Sequence, residues 1–365
     1  MLHWIATFRL NLSLSNITIE MKNSAILLMN LGSPDSTDVK DVRRYLNEFL
    51  MDEKVIDQPY WKRFLLVRGI ITPFRAPKSA HAYEKVWTYK GSPLVVITEQ
   101  LRDAIAQLTD IPVEIAMRYG NPNPKIAFDN LLAANPSLEE VIVVPLYPHY
   151  AMSSYETAVE HAVNIHGQHE YPFKLNIVPA FYDNPNYINA LAESMKEYVE
   201  QPFDHLLFSY HGIPQRHLHK TDPTGNHCFS NLNCCNMPSI AHKTCYRHQV
   251  LETTRLVTEK LNLPKDKFSV SFQSRLGKGW LEPFTDFRLK ELPGEGIKNL
   301  LVVSPAFVSD CLETLEELVM AGRETFMEAG GETYKVIPCM NSQEPWVKGL
   351  MKIIEENGEL KMANG

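Results

Sequence analysis

Eight short runs of apolar, often β-branched residues punctuate the chain, each bounded by Pro, Gly or Asn nearby. They are Ala25–Asn30, Val113–Arg118, Val141–Leu146, Leu175–Pro179, His205–Tyr210, Phe268–Phe272, Leu300–Ser304 and Tyr334–Ile337. Runs of this length without polar alternation predict strands covered on both faces. Between most of them the apolar residues fall three and four apart, as in Tyr187–Glu200 and Gln249–Leu261. That is the period of a helix with one buried stripe. Strands alternating with helices predict an α/β protein with parallel sheets.

The first four strands and the last four read as copies. LLMNLGSP at 27–34 parallels LLFSYHGIP at 206–214, each a strand followed by a Gly-x-Pro turn. VIVVPLYPHYAMSSYET at 141–157 parallels NLLVVSPAFVSDCLET at 299–314, each a strand, a Pro-containing loop and a helix opening with Glu-Thr. The spacing predicts two similar doubly wound halves, residues 21–201 and 202–350, with 351–365 as a tail. In such sheets, sites form outside the carboxyl ends of the strands. No GxGxxG follows the first strand and no GxxxxGK[ST] occurs, so dinucleotide and nucleoside triphosphate binding lack their phosphate loops.

Composition adds limits. Hydrophobic residues make up 44% and charged residues 22% of the 365, enough for two sizeable cores. The net charge is −7 with no long basic run, which argues against nucleic acid as the main partner. No apolar run reaches the roughly 20 residues that span a bilayer. Asn11, Ser13, Ser15 and Asn16 interrupt the apolar residues of the first 20. That stretch reads as an extension upstream of a start at Met21, with a weak targeting segment as the alternative. Of six cysteines, Cys228, Cys234, Cys235 and Cys245 lie close together while Cys311 and Cys339 stand alone. Without a secretion signal, a disulfide framework is the weaker reading, and a cytoplasmic location is expected.

Four features carry candidate chemistry. His211 follows a strand directly, as a metal ligand, a general base near neutral pH, or simply a hydrogen-bonded histidine. In SDCLETLEEL at 309–318, Ser309 or Asp310 can cap a helix. Glu313 and Glu317 share one face of it, and Glu316 lies off that face. Two carboxylates near an imidazole can bind a divalent cation or pass protons, and the same pattern also suits a wet acidic helix start. QSRLGKGWLEPFTD at 273–286 is a long loop after a strand, with Trp280 placed to line a pocket or to pack. The segment 60–78 mixes aromatic and aliphatic residues with Lys62, Arg63, Arg68, Arg75 and Lys78. It reads as an interfacial lip, a wall for a flat apolar carboxylate, or an ordinary amphipathic helix.

Taken together these residues resemble the ferrochelatases, which insert ferrous iron into a porphyrin. The matching pieces run in order: NLGSP at 30–34, RAPK at 75–78, GSPL at 91–94, MRY at 117–119, LYPHY at 146–150, SYHGIP at 209–214, QSRLGKGWLEP at 273–283 and SDCLETLEEL at 309–318. The resemblance implies two Rossmann-like halves with an active cleft between them. It implies His211 as the catalytic histidine, Glu313 and Glu317 as the acidic helix pair, and Trp280 as the loop tryptophan. Arg75 and Ser92 would hold porphyrin propionates, Tyr119 would line the site, and Leu31 would be porphyrin wall in the first half. His211 and Glu313 would share the metal, and Glu317 would continue a proton path.

Two departures from the family pattern stand out. Cys311 replaces a histidine common in SDHxE, and a Cys-rich insertion at 226–246 follows the catalytic histidine. Its four cysteines match the ligand count of a [2Fe–2S] cluster. Zinc, with His227 or His242 assisting, and free thiols are the alternatives. The resemblance implies protoporphyrin IX and Fe(II) as substrates and haem b as product. Coproporphyrin III as substrate, a cobalt chelatase of corrin synthesis, or a non-catalytic porphyrin carrier are the rivals. Peripheral contact with the inner face of the cytoplasmic membrane is expected, because porphyrin is poorly soluble and segment 60–78 can face lipid.

Overall fold

All eight strands form. The computed structural model describes residues 23–274 and 277–359. The expected extension at 1–20, the start at Met21, Arg275 and Leu276 of the glycine-rich loop, and the last six residues lie outside the described residues. The first sheet holds β1 (Ser24–Ser33), β2 (Val113–Gly120), β3 (Glu140–Pro145) and β4 (Lys174–Ile177); the second holds β5 (His205–His211), β6 (Phe268–Gln273), β7 (Asn299–Val303) and β8 (Thr333–Val336). The strand orders are β2-β1-β3-β4 and β6-β5-β7-β8, the same permutation twice, and every pairing is parallel. The repeat read from two sequence segments therefore extends to the whole topology.

The unbroken apolar runs follow from burial. Ala25 through Met29 are sealed from solvent because β1 pairs on both edges, Leu28 lying between Ile115 and Val144, while helices cover both faces. β5 repeats this with Leu206, Leu207 and Phe208. Glycine stands at the end of each central strand for a steric reason, Gly32 as the next-to-last residue of β1 and Gly212 just after β5. A Cβ on Gly32 would sit 1.8 Å from the Tyr119 carbonyl oxygen, and one on Gly212 would sit 2.8 Å from that of Gln273. In each half the neighbouring strand comes too close for any side chain.

The halves are tied together by helices. Pro185–Val199 packs against Tyr246–Lys260, and the last helix, Glu344–Glu359, returns to lie against Pro185–Val199 and Pro93–Ala106. The tail expected from residue 351 is thus helical through Glu359. Trp346, Leu350, Ile353 and Ile354 repeat at helical spacing and are buried, and Glu356 accepts hydrogen bonds from Asn184 and Asn186. Among the described residues three π-helical segments adjoin α-helices: Leu65–Ile71, Met152–Glu156 and Glu313–Gly322. Such segments are frequent at functional sites. Among the described residues no helix is long and apolar enough to cross a membrane.

Candidate active site

The residues past the carboxyl ends of β1, β3, β5 and β7 line one cleft between the halves, with about 1430 Å3 of empty space counted to its open mouth. Leu31, Phe49, Val55, Ile213, Phe307 and Val308 give it a largely apolar wall. This is the strand-end position expected of open parallel sheets.

His211 is the last residue of β5 and lies beside Gln273 of β6. Its carbonyl accepts a hydrogen bond from the Tyr246 hydroxyl at 2.9 Å, and its ring stands edge-on to Phe307. Burial lowers its pKa below the ordinary histidine value; Glu313 opposes this and Arg75 reinforces it. The imidazole is therefore neutral at pH 7, with a lone pair to offer a proton or a metal ion. The turn behind it is stitched to the loop after β6: the Gly212 N–H donates to Gln273 O, Leu281 N–H to Ile213 O and Gln215 N–H to Gly279 O. Pro214 and Trp280 form an antiparallel bridge, so the tryptophan is anchored beside the histidine turn.

The acidic pair stands on the π-helical segment Glu313–Gly322, and both residues line the cleft. Ser309 and Asp310 do not cap it through a backbone N–H. Instead the Asp310 carboxylate accepts from the Thr314 hydroxyl at 2.8 Å and from the Asn341 amide at 2.7 Å. Glu317 is pushed up to about 7, first by burial and then by repulsion from Glu313, while a hydrogen bond from Ser274 (2.5 Å) and the charge of Arg75 pull it down. A carboxyl half-protonated near neutral pH can take up and pass on protons. The Cys311 thiol is pushed up by burial and by Glu313, to which it hydrogen-bonds. Glu316 pairs with Lys85 at 3.0 Å, off the cleft face as expected.

His211, Glu313, Glu317, Leu31, Arg75 and Trp280 all line the cleft. Ser92 and Tyr119 do not. Ser92 starts the Pro93–Ala106 helix, is buried, and donates to the hydroxyl of Ser33, which does line the cleft. Tyr119 is sealed from solvent. Its hydroxyl donates to Asp52 at 2.8 Å and its ring lies against Phe49, which stands between it and the cleft wall. Both residues support the wall from behind.

Several lining residues escaped the sequence reading. Ser274 has φ 62, a left-handed conformation uncommon for serine, and it aims its hydroxyl at Glu317. Its position at the end of a strand inside QSRLG was the available signal. Tyr147, His149 and Ser309 line the cleft with buried polar atoms that have no protein partner among the described residues. His149 is lowered to about 3 by burial, and is held through Nε2 by Thr253 at 3.0 Å. Its presence in LYPHY was visible, but nothing local distinguished it from a core histidine.

Cys228, Cys234, Cys235 and Cys245 are all buried and form no disulfide. Cys245 caps the Tyr246–Lys260 helix, where the His248 N–H reaches its sulfur at 3.5 Å. Hydrogen bonds from Cys235 and Cys228, together with that N–H, lower Cys245 to about 6, while burial and these contacts raise the other two thiols. Among the described residues no group of three or more His, Cys, Asp or Glu has the arrangement that holds a metal ion.

A family model described as Ferrochelatase matches residues 23–358. A ferrochelatase of Opitutus terrae is 50% identical over 331 residues, 90% of this chain and 95% of the relative. One of Pseudomonas fluorescens strain Pf0-1 is 48% identical over 338 residues, 92% and 98% of the two chains. The solved structure of SirB from Bacillus subtilis with Fe3+ matches with a TM-score of 0.53 at 12% identity, covering 92% of this chain and 95% of that one; it speaks for the fold. Family model, relatives and cleft chemistry agree, and the chain belongs to the ferrochelatase family, the metal chelatases that insert iron into porphyrin for haem synthesis.

Proposed function

We propose that the cleft inserts ferrous iron into protoporphyrin IX, with His211, Glu313 and Glu317 as its working groups. The observation that carries this is the meeting of a neutral imidazole with two carboxylates, neither in an ion pair among the described residues, against a largely apolar wall. Among the described residues Arg75 is the one Lys or Arg that lines the cleft. A largely apolar wall with Arg75 as its one cation among the described residues suits a porphyrin with two propionates better than coproporphyrin, which has four. A passive carrier has no use for two clustered carboxylates, whose mutual repulsion destabilises the fold.

Metallation requires that two pyrrole protons leave and that iron shed water. His211 accepts a pyrrole proton at its neutral nitrogen or ligates the incoming iron, and Glu313 shares the metal with it. Glu317, held by Ser274, takes protons onward. Trp280 and Leu31 flank the flat macrocycle, and Arg75 at the mouth neutralises a propionate. The decisive measurement is the anaerobic rate of Fe(II) insertion into protoporphyrin IX and coproporphyrin III. A faster rate with coproporphyrin would overturn the substrate assignment, and no rate with either would overturn the activity.

A [2Fe–2S] cluster on the four cysteines has support in their number, burial and grouping in one insertion and in the tendency of Cys245 toward the thiolate that binds iron, while among the described residues their side chains do not stand in a metal-holding arrangement. Cys228, Cys234, Cys235 and Cys245 would hold it, and such a cluster supplies one-electron chemistry or a structural staple. Visible absorbance and EPR after dithionite reduction test this; colourless protein with stoichiometric zinc defeats it. Peripheral membrane contact has support in the lip at 60–74, where Trp61 is 61% and Phe74 74% exposed, with Tyr60, Leu65 and Ile70 also outside.

A further inference from the structure

A second depression shares no lining residue with the cleft. It is an open groove between one face of the Val39–Leu50 helix and the π-helical Leu65–Ile71 segment, floored by Met51, Asp52 and Arg118, with about 1170 Å3 of empty space. Lys40, Arg43, Arg44, Asn47 and Glu48 recur at helical spacing along that face, opposite the buried Val42, Tyr45, Leu46 and Leu50. Five cationic side chains meet only two carboxylates there, in a chain whose net charge is −7.

The carboxylates are already committed. Asp52 accepts from Arg118, Tyr119 and Thr157, and Glu48 accepts the Gly120 N–H. Arg44 is held by Asp35 and Asp41. Lys40, Arg43 and Arg68 form no ion pair among the described residues and are exposed. Asn47 accepts the Thr72 hydroxyl at its oxygen, which leaves its NH2 as a further donor. A groove of donors with spare positive charge recognises an anion rich in acceptor oxygens, and phosphate is the common one.

The setting narrows the source of that phosphate. The Arg68 guanidinium lies 5.1 Å above the ring of Phe64, and Leu65, Leu66 and Ile70 stand exposed around it. Basic groove and apolar lip are thus one continuous surface. We propose that this groove seats the phosphate of an anionic phospholipid headgroup while the neighbouring apolar side chains enter the acyl boundary. The inference rests on the peripheral membrane contact proposed above and names its lipid partner.

Flotation of the whole protein with phosphatidylcholine vesicles, with and without added phosphatidylglycerol, tests it. Binding is expected only with phosphatidylglycerol and is expected to fall with added salt. The double variant Lys40→Glu with Arg43→Glu should bind about tenfold more weakly or worse and keep wild-type iron insertion in detergent; Arg68→Gln should lose less. Unchanged binding by the double variant, or equal binding of the wild type to neutral vesicles, would overturn the groove. The variant Leu65→Ser with Ile70→Ser separates the two ideas. If it alone loses binding, membrane contact stands and the headgroup site falls; if the wild type floats with no vesicle, both fall. Calorimetric binding of inorganic phosphate at micromolar concentration without lipid would mark a soluble-anion site and also overturn the lipid assignment.

Discussion

The two halves place a Glu-Thr pair near the start of the helix after the third strand of each sheet, Glu156 closing one π-helical segment and Glu313 opening another, and they treat it in opposite ways. In the first half Glu156 is paired with Lys54 and accepts from the Tyr150 hydroxyl, and Thr157 donates to Asp52. In the second half Glu313 has no cation against it among the described residues; its neighbours are the Cys311 thiol, Glu317 and the neutral His211. Thr314 plays the part of Thr157, bonding Asp310. The same contrast appears at the ends of the central strands, where Leu31 of one half corresponds to His211 of the other. A duplicated fold supplies equivalent positions twice. Chemistry arises where the neutralising partner is withheld, and the compensated copy becomes scaffold.

That contrast can be broken most forcefully at the histidine. His211→Ala should lower the rate of iron insertion by about 10²–10⁴-fold, while porphyrin affinity by fluorescence quenching stays near wild type. Near-normal turnover would remove the catalytic half's distinction. The paired substitution is next in size. Glu313→Gln should cost about 10²-fold in kcat, whereas Glu156→Gln should leave kcat within about twofold and lower stability by about 1 kcal/mol in denaturant melts. Equal kinetic losses would mean that the halves are not specialised as described.

The glycines probe what the halves share. Gly32→Ala must adopt φ 107 against a carbonyl at 1.8 Å and should destabilise by about 3 kcal/mol or more. Gly212→Ala meets its carbonyl at 2.8 Å without a positive φ. It should destabilise less but also slow insertion by displacing Trp280, whose ring atom lies at 3.4 Å. Chemical melts and anaerobic assays on the two variants give the comparison.

The pH response is the most graded of these tests. Glu317 is raised from 4.5 to about 7, so the folded chain keeps a proton that the unfolded chain releases across that range. Stability from this group is full below pH 4.5 and is lost as pH rises through 7. Glu317→Gln should therefore raise Tm more at pH 8 than at pH 5, by up to about 2 kcal/mol in stability. In activity, wild-type kcat should fall as pH drops below about 7, where Glu317 can no longer take a proton, and the variant should lose that limb.

The amino-acid sequence by itself determined the eight strands, their parallel pairing and the duplication, because burial on both faces imposes continuous apolar runs that need no knowledge of partners. It also determined the strand-end position of His211 and the shared face of Glu313 and Glu317, both local consequences of strand order and helical spacing. Tertiary structure decided the rest. Ser92 and Tyr119 stand behind the wall because Ser33 and Phe49 from other segments come between, and the last helix continues through residues read as a tail because it has the first half to pack against. Ser274 reaches Glu317 across 43 residues of sequence through an unusual backbone angle. The electrostatics that separate Glu313 from Glu156 depend on Lys54, 102 residues from its partner. Sequence pattern specifies what each element buries; which charges find partners across elements is settled only when the chain has folded.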